Sequence, residues 1–194
     1  ADKKKLPEIE TQKTTTSTEN FDAFNDPRVS NVWSFRDRKR NGVSVNKAYL
    51  NSINDHKYEV IVAVVDTGVD YEHEDLKQNM WVNLKEIPHN NVDDDNNGYI
   101  DDIHGIDTLS KNSDGTSSGD PRDTHSHGTH VAGTIGAVQN NNIGIAGIAE
   151  KVKIMAIRAV PNRSDETDAD VVESFLYAAK HGARIINCSF GKNH

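Results

Sequence analysis

The run Val60-Ile-Val-Ala-Val-Val65 constrains this chain more than any other stretch. It is apolar at every position and mostly β-branched, so a strand formed there has to be covered on both faces. Such a strand, expected over Glu59–Val65, belongs in the interior of a parallel sheet with helices packed above and below. The run ends on Asp66, then Thr67 and Gly68. A carboxylate is thus delivered to the carboxyl end of a central strand, where ligands bind in open α/β sheets.

The rest of the patterning agrees. Val152–Val160 and Arg184–Ser189 also predict buried strands, and a short strand is expected near Ile103–Asp107. Ser44 is placed to cap a helix through about Ile53, carrying Val45, Ala48, Tyr49 and Leu50. Ser126 is expected to N-cap a helix reaching about Val138. On it Val131, Ile135 and Val138 share a face, and Ala132, Gly133 and Gly136 permit close packing. A third helix, started by Thr167 or Asp168 and ended by Gly182, is expected to bury Val171, Val172, Phe175, Leu176 and Ala179. Strands alternating with helices predict an α/β fold: three layers, a mostly parallel sheet with helices on both faces. Residues 1–24, polar and without periodicity, are expected to form a mobile arm, and 25–194 the folded portion.

Composition removes several functions. The net charge of -8 argues against a nucleic-acid surface. No apolar run approaches the ~18 residues of a membrane span. The single cysteine, Cys188, excludes an intrachain disulfide and is read as a small buried strand residue.

His125-Ser-His127-Gly-Thr-His130-Val-Ala-Gly133 supplies the second chemical group. A helix starting at Ser126 puts His127 in its first turn, and the small residues after it let the helix lie close to the sheet. His127 can then reach Asp66, whose carboxylate would fix the imidazole tautomer and stabilise the imidazolium formed during proton transfer. Two other readings are weaker. Asp-Thr-Gly also serves hydrolases in which two aspartates share a proton, but this chain has one copy. His125, His127 and His130 could be read as a zinc cluster, yet His127 and His130 lack the i, i+4 spacing of a helical zinc pair.

Asn91-Val-Asp93-Asp-Asp95-Asn-Asn97-Gly-Tyr99-Ile-Asp101-Asp102 places hard oxygen donors at alternate positions around a glycine turn. Asp93, Asp95, Asn97, the Tyr99 carbonyl and Asp101 or Asp102 suggest a calcium loop, since so many carboxylates repel unless a cation neutralises them. The competing reading is a solvated acidic turn. An EF-hand would need a later glutamate and flanking helices, which are not evident.

These motifs carry a resemblance. Val64-Val-Asp66-Thr-Gly-Val-Asp70 resembles the aspartate segment of the subtilisin-like serine proteases, and His127-Gly-Thr-His-Val-Ala-Gly133 their histidine segment. Asn187-Cys-Ser189-Phe190-Gly191 resembles the family's substrate-binding strand. The likeness runs from about Asn25 to Gly191. It implies that Asp66 and His127 are two members of an Asp-His-Ser triad and that His130 is structural. It implies that Ser189, Phe190 and Gly191 wall the cleft, and that Val160, Pro161, Asn162 and Arg163 pair with an extended substrate peptide. It implies a second calcium site at Val138–Ile145, with Asn141 or its neighbour Asn140 by its side chain, Val138, Ile143 and Ile145 by carbonyls, and Asp75 and Asp26 completing it.

The family's nucleophilic serine and oxyanion asparagine are assigned by this resemblance to a segment beyond His194. The expectation is a secreted or cell-surface, calcium-dependent serine endopeptidase. This chain supplies acid and base, a C-terminal fragment of the same protease supplies the serine, and peptide or protein substrates and an inhibitory propeptide are the other partners. A non-catalytic binding module of the same fold is the alternative, and a zinc hydrolase a third.

Overall fold

The computed structural model describes residues 23–36, 39, 41–51 and 58–191, the side chains of 50 and 51 excepted. Most of the expected arm, and the end of the first expected helix at 52–53, lie outside the described residues. Phe24, assigned to the arm, is instead packed edge-on against Phe35 and Tyr49.

Five strands form one sheet. They are β1 (Val60–Asp66), β2 (Gly105–Lys111), β3 (Ser117–Ser118), β4 (Val152–Arg158) and β5 (Ile185–Cys188), in the order β3-β2-β4-β1-β5. β1 pairs parallel with β4 and β5, and β2 parallel with β4; only β3 runs antiparallel, against β2. The β-branched run is interior, as its two apolar faces require. The helices are α1 (Val45–Asn51), α2 (His127–Gly136) and α3 (Asp168–Lys180).

The alternation of side chains along β1 divides the core in two. Val62 and Val64 point to the face that packs Ala132 of α2 with Leu76, Met80 and Ile154. Ala63 and Val65 point to the other, which packs Tyr177 and Ala178 of α3 with Ile106, Met155 and Ile157. This is the three-layer α/β arrangement. At roughly 25 cal/mol per Å² of apolar surface removed from water, these fully buried side chains are the main stabilising contribution.

Three expectations are corrected. The buried face of α3 is Ser174, Tyr177 and Ala178, whereas Val172, Phe175 and Leu176 are 56%, 40% and 57% exposed. The stripe that periodicity singled out faces outward, and the buried one carries Tyr177, whose hydroxyl donates to Asp102. β5 is an edge strand, so Ile185 and Cys188 are exposed. Finally, Ser126 holds the N-cap position of α2 as expected, but its side chain makes no cap bond; the donors at that helix start go elsewhere, as described next.

Candidate active site

Asp66 closes β1 and is 1% exposed. Its Oδ1 lies 2.7 Å from His127 Nδ1 and also accepts from the Thr67 amide at 2.7 Å. The two side chains meet because α2 lies almost on the strand end: a Cβ on Gly128 would sit 2.0 Å from the Gly68 carbonyl oxygen and 3.1 Å from Asp66 Cβ. The imidazole therefore has one nitrogen committed to a buried carboxylate, while 47% of its side chain remains exposed. Such a pair can take and return a proton at Nε2.

The turn into α2 is unusual. Ser126 has φ 80°, a left-handed conformation that costs a non-glycine residue about 1–2 kcal/mol. Asp123 holds it. Its Oδ1 accepts from the amides of His125 and Ser126 at 2.8 and 3.0 Å, and its Oδ2 from the Thr129 amide and hydroxyl at 3.0 and 2.6 Å. Burial pushes this carboxyl up, but the Thr129, His125 and Ser126 hydrogen bonds outweigh it and leave Asp123 below the ordinary carboxylate range. Sequence reasoning passed over Asp123. An aspartate just before a helix was the available signal, but Ser126 stood in the nominal cap position.

The expected substrate segments leave the carboxyl ends of the two strands that flank β1. Beyond β4, the amides of Ala159 and Val160 both donate to the Asp66 carbonyl, at 2.9 and 3.0 Å. Asn162 Nδ2 and Arg158 Nη2 share the Thr124 hydroxyl, at 2.9 and 3.2 Å. Arg163 is exposed and Pro161 half-buried. Beyond β5, Ser189 accepts from Asn187 Nδ2 at 2.9 Å, Phe190 packs on the α3 side of the core, and Gly191 is exposed. Asp66 thus ends the strand that lies between these two segments, with His127 bonded to it.

Ser117, a serine that follows Gly115-Thr116, sits on β3, separated from β1 by β2 and β4. It is 1% exposed, donates to Glu173 Oε1 at 2.6 Å and accepts from Lys111 Nζ at 2.5 Å. It is a structural tie.

In the acidic loop, carboxylate oxygens of Glu86, Asp93 and Asp95 all lie within 4.8 Å of one another. Glu86 was not foreseen. It comes from outside the loop and accepts from the amides of Asp95 and Asp101 at 3.1 Å each. Burial raises its carboxyl, and the charges of Asp102 and Asp95 add to that against those two amides. Asn97 accepts from the Tyr99 amide at 2.7 Å, and the Tyr99 hydroxyl donates to Glu173. Asp101 accepts from the amides of Asn90 and Asn91. Asp102, fully buried, accepts from Tyr177, Asn97 and Asn83, yet burial holds its carboxyl above the ordinary range. Among the described residues, the side chains grouped closely enough to hold a metal are these three carboxylates, and not His125, His127 and His130.

The second loop is tied to two buried carboxylates. Asp26 accepts from the amides of Asn140 and Asn141 at 2.9 and 3.1 Å. Asp75 accepts from Asn141 Nδ2 at 2.8 Å and from the Ile145 amide at 3.0 Å, and its carbonyl accepts from the Val138 amide. The Ile143 amide donates to Asn141 Oδ1 at 2.8 Å.

A buried aspartate at a central strand end, bonded to a helix-start histidine, defines an α/β chain with an acid–imidazole pair. The profile of the subtilase family matches residues 57–194, and the chain belongs to that family of serine proteases. It is 39% identical over 140 residues to subtilisin-like protease 1 of Plasmodium falciparum, covering 71% of this chain and 20% of that protein. It is 31% identical over 133 residues to the halolysin-like extracellular serine protease Nep of Natrialba magadii, covering 69% and 21%. Among solved structures, a protease of Pseudoalteromonas arctica superposes with a TM-score of 0.61 at 26% identity, over 88% of this chain and 51% of that one. The chain spans about a fifth of the length of both curated relatives.

Proposed function

We propose that this chain is the acid-and-base part of a secreted, calcium-dependent serine endopeptidase. The observation that carries the proposal is the 2.7 Å Asp66–His127 bond at the end of a central strand in a subtilase-family chain. In this reading His127 Nε2 takes the proton of a serine hydroxyl as its oxygen attacks the scissile carbonyl, then gives it to the leaving amine. Asp66 keeps the other imidazole proton on Nδ1 and stabilises the imidazolium. Val160–Arg163 and Ser189–Gly191 hold the substrate extended between them by main-chain hydrogen bonds. The nucleophile and oxyanion donor come from a C-terminal segment of the same protease, which also covers β5 and the apolar side of α3. Secretion is supported by an extracellular relative; no helix among the described residues is long and apolar enough to cross a membrane.

Calcium suits the donor sets. Glu86, Asp93 and Asp95 converge with hard oxygens, and burial and mutual repulsion there favour a cation. Asp26 and Asp75 hold the Val138–Ile145 loop, where Asn141, Val138, Ile143 and Ile145 would add neutral oxygens. A bound calcium ion supplies neutralisation and loop rigidity, not a step of the reaction. Asn97, Tyr99, Asp101 and Asp102 complete the first loop in this reading.

The test is peptide hydrolysis by the purified full-length protein. Activity blocked by a serine-directed fluorophosphonate and abolished in His127→Ala supports the proposal. A folded protein that binds peptides but cleaves none would favour a non-catalytic module.

A further inference from the structure

We propose that Thr67 and Asp123 form one positioning unit that holds His127 against Asp66. The inference rests on the reading of that pair as acid and base. Beside the Asp66–His127 bond runs a second bridge, displaced by one residue in each element. The Gly128 amide donates to Thr67 Oγ1 at 3.0 Å, inside the protein. Thr67 follows Asp66 and Gly128 follows His127, so this bridge fixes the strand end relative to the helix start at the point where the pair meets.

The bridge works in one hydroxyl orientation. Thr67 Oγ1 has one hydrogen; while it accepts from Gly128, that hydrogen has to be aimed at an acceptor. It goes to Asp123 Oδ1, at 3.0 Å. An ionised carboxylate only accepts, so it cannot compete for the lone pair that Gly128 uses. The same Asp123 oxygen takes the His125 and Ser126 amides, and Oδ2 takes the Thr129 amide and hydroxyl. Thr129 in turn accepts from the Asp70 amide at 2.9 Å. One carboxylate thus closes a ring from β1 through Thr67, around the left-handed Ser126 turn that aims His127, and back through Thr129 to Asp70.

Neither residue touches the imidazole. Their role is to set where it sits, and sub-ångström placement matters because a 1 Å misplacement can cost roughly 100-fold in rate.

The test uses the full-length protease with Thr67→Val, which keeps shape and removes the hydroxyl, Asp123→Asn, which sets an amide donor against the Thr129 amide, and Thr67→Ser, which restores the hydroxyl. Two readouts are taken. The first is kcat and KM for one peptide. Thr67→Val and Asp123→Asn are expected to lower kcat about 10–100-fold with KM within about twofold, and Thr67→Ser to stay near wild type. The second needs no turnover: the proton resonance of the His127 Nδ1–H bonded to Asp66. It is expected to broaden or be lost in Thr67→Val and Asp123→Asn, and to persist in Thr67→Ser. If the wild-type protein hydrolyses nothing, the protease reading fails and the resonance alone decides the positioning role. An intact resonance with unchanged kcat in folded Thr67→Val and Asp123→Asn would overturn the proposal. So would a loss that appears only in KM.

Discussion

Residue 128 decides whether Asp66 and His127 can meet. A methyl group there would stand 2.0 Å from the Gly68 carbonyl oxygen, a backbone atom that cannot swing aside. Gly128→Ala is therefore expected to cost about 1–3 kcal/mol by overpacking, and to cut turnover by lifting the helix start off the strand. Urea melts and peptide kinetics on the same preparation check both. Asp123 makes a prediction in pH. Its folded-state carboxyl lies below the ordinary carboxylate range, so its contribution is present above the unfolded value and is lost as pH falls through the folded one. Asp123→Asn is expected to flatten the fall of stability below about pH 4, measured by denaturant unfolding at a series of pH values. Asp66 and His127 were legible in the sequence because each sits at a recognisable place, a strand end and a helix start. Thr67 and Glu86 were not, because their roles depend on contacts with other segments that only the fold creates; Asp123, whose partners at His125, Ser126 and Thr129 are local, was hidden by Ser126 in the nominal cap position.

Among the elements, the strands were the most legible and α3 the least. β1, apolar at every position before Asp66, has one solution, burial on both sides, and takes it. The α3 pattern singled out one apolar stripe, but the buried face carries Tyr177, whose hydroxyl donates to Asp102 at 2.5 Å. That bond joins α3 to the acidic loop, a link no local pattern could disclose. It also places loop and helix in one unit. Removal of calcium is thus expected to loosen the 86–102 loop and the adjoining helix together. At calcium 100-fold above Kd, each site contributes about 2.7 kcal/mol, or roughly 5–10 °C in melting temperature. Calorimetry with and without a chelator measures this. An unchanged melting temperature after verified metal removal would count against both loops as calcium sites.

For the whole molecule, the three-layer architecture and the family were legible from three motifs in order. Val172, Phe175, Leu176 and Ile185 lie exposed, and β5 presents an edge. Surfaces of this kind mark places where more protein packs. Residues 1–194 alone are expected to bind a hydrophobic dye, to aggregate on warming and to hydrolyse no peptide; the full-length protein is expected to do the reverse. The central claim is that Asp66 and His127 activate a serine outside these residues. The most direct measurement is fluorophosphonate labelling of the full-length protein and its Asp66→Asn variant, with the modified residue located by mass spectrometry. The expected result is a single labelled serine outside 1–194, with labelling slowed by up to about 10⁴-fold in Asp66→Asn, where the imidazole loses its tautomer. Labelling at Ser117 or Ser189, or an unchanged rate in Asp66→Asn, would contradict it.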